Sequence, residues 1–509
     1  MRSIIPCALA LAGFVAVSSF ASDRTGPAAW GDLEAGPYAV GFRSFQEEDR
    51  TRGYWPLRDY LGNERKESTA RPMQVSLWYP ASIAPDAEPL AYRHYAELAE
   101  LALGEAHRQQ VRQAIQGELR SDFFGRYFPP DGPDDADLQR ILDQPTAAFA
   151  DAPFADGTFP VVIHSGFGPL AQSVLLEYLA SHGFIVLTTN MLGSDAAWFN
   201  RGSGTLEWWQ ETARDVEWLR AFATRFESAD VRRTAVIGMT APSGVLAQMS
   251  SMQISAVVGT EAMYREVLED ADRFDPARVR IPILDIVSKG RTANEDLLEM
   301  LGFSDRWIIR YEDVEHTNFY QFGRLTGASG AREQPGYAST ARLTRAFLEA
   351  HLNQNGSDWS EQLARDLARE PVAVSHLPAR DPRPSEAEFL LLVREGKLQE
   401  ARRGYRAASD QGSPRFFDPN LLRTTAIFRL YDDGDAEGAA DALRILLDAY
   451  PEDVEAYRFL SRALQALGDD LEARGVLERA VGVIDSLDVT AEERRRLRTR
   501  IEQEMARLD

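Results

Sequence analysis

An α/β architecture with a mostly parallel sheet, followed by an all-helical repeat region, is the fold class this chain predicts. Three observations carry it. From Phe159 onward, short apolar segments alternate with helix-patterned ones, as parallel strands covered by helices on both faces require. At 234–244 a β-branched segment runs through Gly238-Met239-Thr240-Ala241-Pro242 into helix-like sequence. After residue 355 the alternation stops, and small and large residues recur at a helical repeat spacing.

Residues 1–22 have the layout of a secretory leader: Arg2, an apolar run from Ile4 to Val17, then small residues to Ser22. The run is short for a membrane span, so no transmembrane segment is expected in the mature chain. Export, to the periplasm or beyond the cell, follows as the expectation. Segments 36–42 and 73–79 alternate in polarity and predict two strands, joined by a polar, Arg-rich loop over 46–71. Residues 90–120 are helical in pattern, and 129–158, rich in Pro, Asp and Gly, predict a loop or lid insertion.

The βα alternation begins with the strand Phe159–Ile163 and the loop His164-Ser165-Gly166-Phe167-Gly168, which leads into a helix. Phe184–Thr189 is the next strand, and 207–226 predict an amphipathic helix carrying Trp208, Trp209 and Trp218. The tryptophans Trp198, Trp208 and Trp209 either line an acyl or aromatic pocket or fill the core. Strands follow at 234–237, 254–258, 281–287 and 307–311. The Pro-rich stretch 370–385 predicts a linker. Beyond it Ala401, Ala439 and Ala473 are spaced 38 and 34 residues apart, each with a glycine five residues before it and a large residue four after. This spacing resembles tetratricopeptide repeats, whose concave faces dock protein partners. The expected organisation is a leader (1–22), N-terminal strands with a helical or lid insertion (23–158), an α/β core (159–355), a linker (356–385) and helical repeats (386–509).

Composition narrows the chemistry. Cys7, inside the leader, is the only cysteine, so the mature chain has no disulfide, cysteine nucleophile or thiolate metal site. The net charge of −22 argues against nucleic acid as a partner. Seven histidines show no metal-binding spacing, and neither a metal nor an organic cofactor is expected. The Arg494-Arg495-Arg496 run, beside Glu492 and Glu493, reads as a solvated helix face.

From Pro37 to about residue 355 the chain resembles the exported dienelactone-hydrolase-like and platelet-activating-factor-acetylhydrolase-like α/β-hydrolases. The likeness rests on Gly36–Gly41, Leu77-Trp78-Tyr79-Pro80, Glu177–Gly183, the turn at 238–244 and the His316 segment. It implies an acyl-ester hydrolase with a nucleophile, an acid and a histidine in that chain order. The strand-to-helix turn corresponds to the G-x-S-x-G elbow, with Thr240 in place of serine and Pro242 in place of the second glycine. Thr240 is thus the expected nucleophile. A β-branched residue in so strained a turn costs on the order of 1–3 kcal/mol. Ser243 is the other nearby hydroxyl and falls inside the predicted helix.

His316, just past the last strand, takes the general-base position. Glu261 is placed first as the acid, with Glu295, Asp296 and Asp285 as alternatives. The N–H groups of Ala241 and Phe167 would hold the oxyanion. Thr240 in place of serine keeps a second reading open: an inactive relative that binds a ligand in its pocket or docks a partner through its repeats.

Overall fold

The computed structural model describes residues 26–54, 69–101, 132–166, 168–189, 206–249, 253–262, 279–290, 298–326, 336–353, 372–380 and 384–508, with a few single residues between them. The expected leader lies outside them, as do Phe167, Trp198, Glu295 and Asp296. The chain divides into two compact units, ending at Leu377 and beginning at Pro378.

The first unit is built on one sheet. Its strands are β1 (Ala39–Tyr54), β2 (Thr69–Ala81), β3 (Ala148–Ala150), β4 (Phe159–His164), β5 (Ile185–Thr189), β6 (Ala229–Gly238), β7 (Ala256–Thr260), β8 (Ile283–Val287), β9 (Arg306–Tyr311) and β10 (Val372–Leu377). Their order across the sheet is β10-β9-β8-β7-β6-β4-β5-β2-β1-β3. From β5 to β9 every pairing is parallel, whereas β2 is antiparallel to both β1 and β5. This mostly parallel sheet with flanking helices, followed by a helical region, is the α/β-hydrolase fold class that the sequence predicts.

The central strands are apolar on both faces because both faces are covered. In β4, Val162 joins the cluster that contains Leu176 and Leu179 of helix Gly168–Ser181, while Val161 and Ile163 join the one that contains Val216 and Leu219 of helix Leu206–Ala223. Successive strand residues point to opposite faces, so one hexapeptide serves two cores.

Three expectations change. The segment 46–71, expected as a loop, contributes to a long β1–β2 hairpin, with residues 55–68 outside the described set. Two of its arginines, Arg52 and Arg71, are compatible with strand because they are paired inside. Arg52 donates to Asp215 at 2.7 Å and Glu211 at 2.9 Å, and Arg71 reaches both Asp215 oxygens at 2.9 and 2.6 Å. The stretch 129–158, expected as a loop or lid, holds helix Asp135–Leu142 and β3, which runs parallel to β1. The expected linker 356–385 contains β10, paired antiparallel to β9.

The second unit is helical: Glu386–Arg394, Leu398–Asp410, Pro419–Tyr431, Ala436–Ala449, Val454–Ala466, Asp470–Ser486 and Ala491–Met505. Ala401, Ala439 and Ala473 are completely buried where neighbouring helices pack. Gly396, Gly434 and Gly468 end the preceding turns at φ +79°, +71° and +82°, a left-handed conformation open to glycine. The repeat spacing in the sequence is therefore the spacing of turns and close helix approaches.

Candidate active site

The site forms where β4, β6, β7 and β9 run out of the sheet. β6 ends at Gly238, and helix Pro242–Met249 starts four residues on. Pro242 opens that helix, where a missing N–H costs nothing. Gly238 has φ +115°, and a Cβ there would lie 2.4 Å from the Ser165 carbonyl oxygen. Among the described non-glycine residues only Asp151 and Glu261 have positive φ. The strain expected at Thr240 is therefore carried by Gly238, which bears it without a side chain.

Thr240 is 1% exposed. Its N–H donates to the Ser165 carbonyl at 3.1 Å, and its Oγ1 lies 2.6 Å from Ser165 Oγ. Ser165 Oγ is in turn 3.2 Å from Ser243 Oγ. Three buried hydroxyls thus form one cluster behind the turn. The Ala241 N–H, expected as an oxyanion donor, donates to the Gly238 carbonyl at 3.3 Å. Phe167, the second expected donor, lies outside the described residues.

The acid and the base do meet. Glu261 is the first residue past β7, and its φ of +56° turns the chain sharply over the end of β8. Two contacts to β8 and its exit hold it there. The Glu261 N–H donates to the Ile286 carbonyl at 2.8 Å, and the Ser288 N–H donates to Glu261 Oε1. The other carboxylate oxygen, Oε2, lies 2.8 Å from His316 Nδ1. Glu261 is 1% exposed, while the His316 side chain is 44% exposed. A carboxylate only accepts, so Nδ1 carries the proton and Nε2 presents its lone pair. A left-handed glutamate costs on the order of 1–2 kcal/mol and persists where surrounding structure fixes it.

His316 opens the short helix His316–Phe319, closed on itself by the Glu315 N–H donating to Asn318 Oδ1 at 2.8 Å. One turn on, Tyr320 places its hydroxyl 3.3 Å from His316 Nε2 and 4.0 Å from Met239 Sδ. A small cavity beside Tyr320 and Met239 is also lined by His164, Gly166, Thr260 and Glu261, among others.

His164, at the end of β4, is buried, and burial alone pulls its pKa down to about 4. It is neutral at physiological pH. Its Nδ1 lies 3.4 Å from Thr188 Oγ1, and a Cβ on Gly238 would lie 3.2 Å from its Nε2.

The structure thus brings Glu261 and His316 together and pairs the Thr240 hydroxyl with Ser165. Ser243 is buried in the same cluster. Asp285 is completely buried within β8. Trp208 and Trp209 belong to the core between helix Leu206–Ala223 and the sheet. Sequence reasoning missed Tyr320, Met239 and the Ser165 hydroxyl. The available signal was Tyr320 standing four residues after His316 in a segment short enough to be one turn. Among the described residues, no group of three or more His, Cys, Asp or Glu side chains is placed to hold a metal ion.

No protein-family profile matches the chain, and no curated protein does. Solved structures similar to it include a ferulic acid esterase from Streptomyces cinnamoneus. That match has 17% identity and a TM-score of 0.44 and covers 67% of this chain and 96% of the esterase. A cold-adapted esterase from an Arctic intertidal metagenomic library matches at 11% identity, TM-score 0.31, over 62% of this chain and 95% of its own. Esterase Est22 matches at 9% identity, TM-score 0.28, over 60% and 79%. Likeness at this level bears on neither activity nor substrate.

Proposed function

We propose that this chain hydrolyses carboxylic acyl esters, with Glu261 and His316 as its acid–base pair. One observation carries the reading: a buried carboxylate in a strained backbone fixes His316 Nδ1 at 2.8 Å, so Nε2 keeps its lone pair and can act as a base. A histidine so oriented takes a proton from an attacking hydroxyl and returns it to the leaving alcohol. The buried glutamate stabilises the imidazolium between those two transfers. In the hydrolase-like arrangement Thr240, whose Oγ1 stands 2.6 Å from Ser165 Oγ, supplies the hydroxyl. The leader-like residues 1–22 support export to the periplasm or beyond the cell, and the substrate in this reading is a small or lipid-like ester.

The test is p-nitrophenol release from p-nitrophenyl acetate and butyrate by the purified full chain. His316→Ala is expected to lose about 10²–10⁴-fold in turnover. Equal rates for wild type, His316→Ala and heat-inactivated protein would overturn the reading.

A second reading, an inactive relative that binds a ligand or docks a partner, is supported by the engaged Thr240 hydroxyl, the engaged Ala241 N–H and the small cavity. In that reading the tetratricopeptide-like unit carries the function. It presents Leu391, Leu421, Phe428 and Tyr431, each at least half exposed, on helices Glu386–Arg394 and Pro419–Tyr431.

A further inference from the structure

We propose that the hydroxyl activated by the Glu261–His316 pair is that of Tyr320, and that Tyr320 Oη rather than Thr240 Oγ1 is the acyl acceptor. The proposal rests on the ester-hydrolase reading and names its nucleophile.

Geometry separates the two hydroxyls. Tyr320 Oη lies 3.3 Å from His316 Nε2, the nitrogen left with a lone pair once Glu261 holds Nδ1. Both side chains rise from the same one-turn segment, and their rings meet edge to face at 5.3 Å, so the pairing is local. Tyr320 also lines the cavity from which a carbonyl would be approached. Thr240 Oγ1 is 2.6 Å from Ser165 Oγ, and Thr240 is 1% exposed. Chemistry favours the phenol as well. A phenol ordinarily loses its proton near pH 10, whereas an aliphatic hydroxyl is nearer water, about 15.7. An imidazole base therefore has far less to do at Tyr320.

The steps balance. The Tyr320 proton moves to His316 Nε2 as Oη bonds to the acyl carbon. The tetrahedral centre collapses, the bond to the alcohol oxygen breaks, and the alcohol leaves with the proton from Nε2. Water then attacks the acyl-tyrosine, giving its proton to Nε2. The acyl–Oη bond breaks, and the phenolate recovers that proton. Glu261 holds Nδ1–H throughout. The sum is ester plus water to acid plus alcohol. The intermediate is an aryl ester, whose leaving group is good, so the acyl-enzyme is short-lived.

The experiment is fluorophosphonate labelling of the purified full chain, with peptide mass spectrometry to locate the adduct, beside p-nitrophenyl butyrate turnover. The expected result is an adduct on Tyr320 that is absent from His316→Ala, and a loss of at least 100-fold in kcat for Tyr320→Phe. That substitution keeps the ring, and an unchanged melting temperature verifies the fold; the wild-type adduct does not depend on it. An adduct on Thr240, Ser165 or Ser243, or turnover with no adduct on Tyr320, overturns the assignment and leaves the ester-hydrolase reading standing. Wild-type protein without turnover or adduct overturns both.

Discussion

Glu261 holds His316 by a 2.8 Å contact made from a backbone at φ +56°, one of two positive values among the described non-glycine residues. The pair joins the end of β7 to the segment past β9, and β8 lies between those strands. Strand β8 supplies the acceptor for the Glu261 N–H and, at its exit, the Ser288 donor to the carboxylate. The acid is thus positioned by a strand that carries no group of the pair itself.

Replacing the charge but not the shape tests that pair. Glu261→Gln still offers an oxygen to the Ser288 N–H, but it no longer stabilises an imidazolium. Ester turnover is expected to fall by about 10²–10⁴-fold in kcat with little change in KM. Steady-state kinetics on p-nitrophenyl butyrate check it; a loss under threefold contradicts the role given to Glu261.

A second carboxylate sets a pH dependence of stability. Glu177 is buried in helix Gly168–Ser181 and accepts from Tyr95 Oη at 2.7 Å, the Ala147 N–H at 3.0 Å and Trp30 Nε1 at 3.2 Å. Burial raises its pKa from 4.5 to about 7 despite those donors. Between these values the folded chain binds more protons here than the unfolded one, so stability falls as pH rises from about 4.5 to 7. The contribution is on the order of 3 kcal/mol. Melting temperatures measured from pH 5 to 8 are expected to decline more steeply for wild type than for Glu177→Gln. Parallel curves would contradict this.

The β1–β2 hairpin depends on Asp215. That carboxylate answers both Arg52 and Arg71 inside the protein, with side-chain exposures of 5% and 3% for the arginines. Asp215→Ala leaves buried guanidinium charge without its main partner and is expected to destabilise by about 3–5 kcal/mol. Urea unfolding followed by circular dichroism measures it; a loss under 1 kcal/mol would show that Asp49 and Glu211 suffice.

Gly238 tests the turn at the end of β6. Alanine there meets both the φ of +115° and the Ser165 carbonyl. Gly238→Ala is expected to cost about 2–4 kcal/mol, against under about 1 kcal/mol for the exposed helix residue Glu478→Ala. Calorimetric melting compares them directly.

Much of this is legible in the sequence where the cause is local. The central strands are legible because burial on both faces forces continuous apolar runs, as in residues 161–163 of β4 and 256–258 of β7. Glu261 is legible because it directly follows β7, and His316 because it lies in the short segment past β9. The hairpin is not, because Arg52 is explained by Asp215, 163 residues away; without that partner, charged residues read as loop. The engagement of Thr240 is hidden for a similar reason. It depends on the register that sets His164 beside Ile237 and so brings Ser165 under the turn. The spacing of Tyr320 from His316 is visible, but the direction of its hydroxyl is set by packing against Met239 and Phe322.

The antiparallel pairing of β10 with β9 changes where the first unit can be cut. A chain ended at residue 355, where the βα pattern stops, would lose Val372–Leu377 and strip the ladder from β9. The row of N–H and C=O groups so exposed is an invitation to intermolecular strand pairing. It would also remove His376, whose ring stacks on Trp307 at 3.8 Å and whose Nε2 meets Asp305 at 2.8 Å. The first unit prepared alone should therefore keep residues to Leu377, so that β9 stays paired and its edge stays covered.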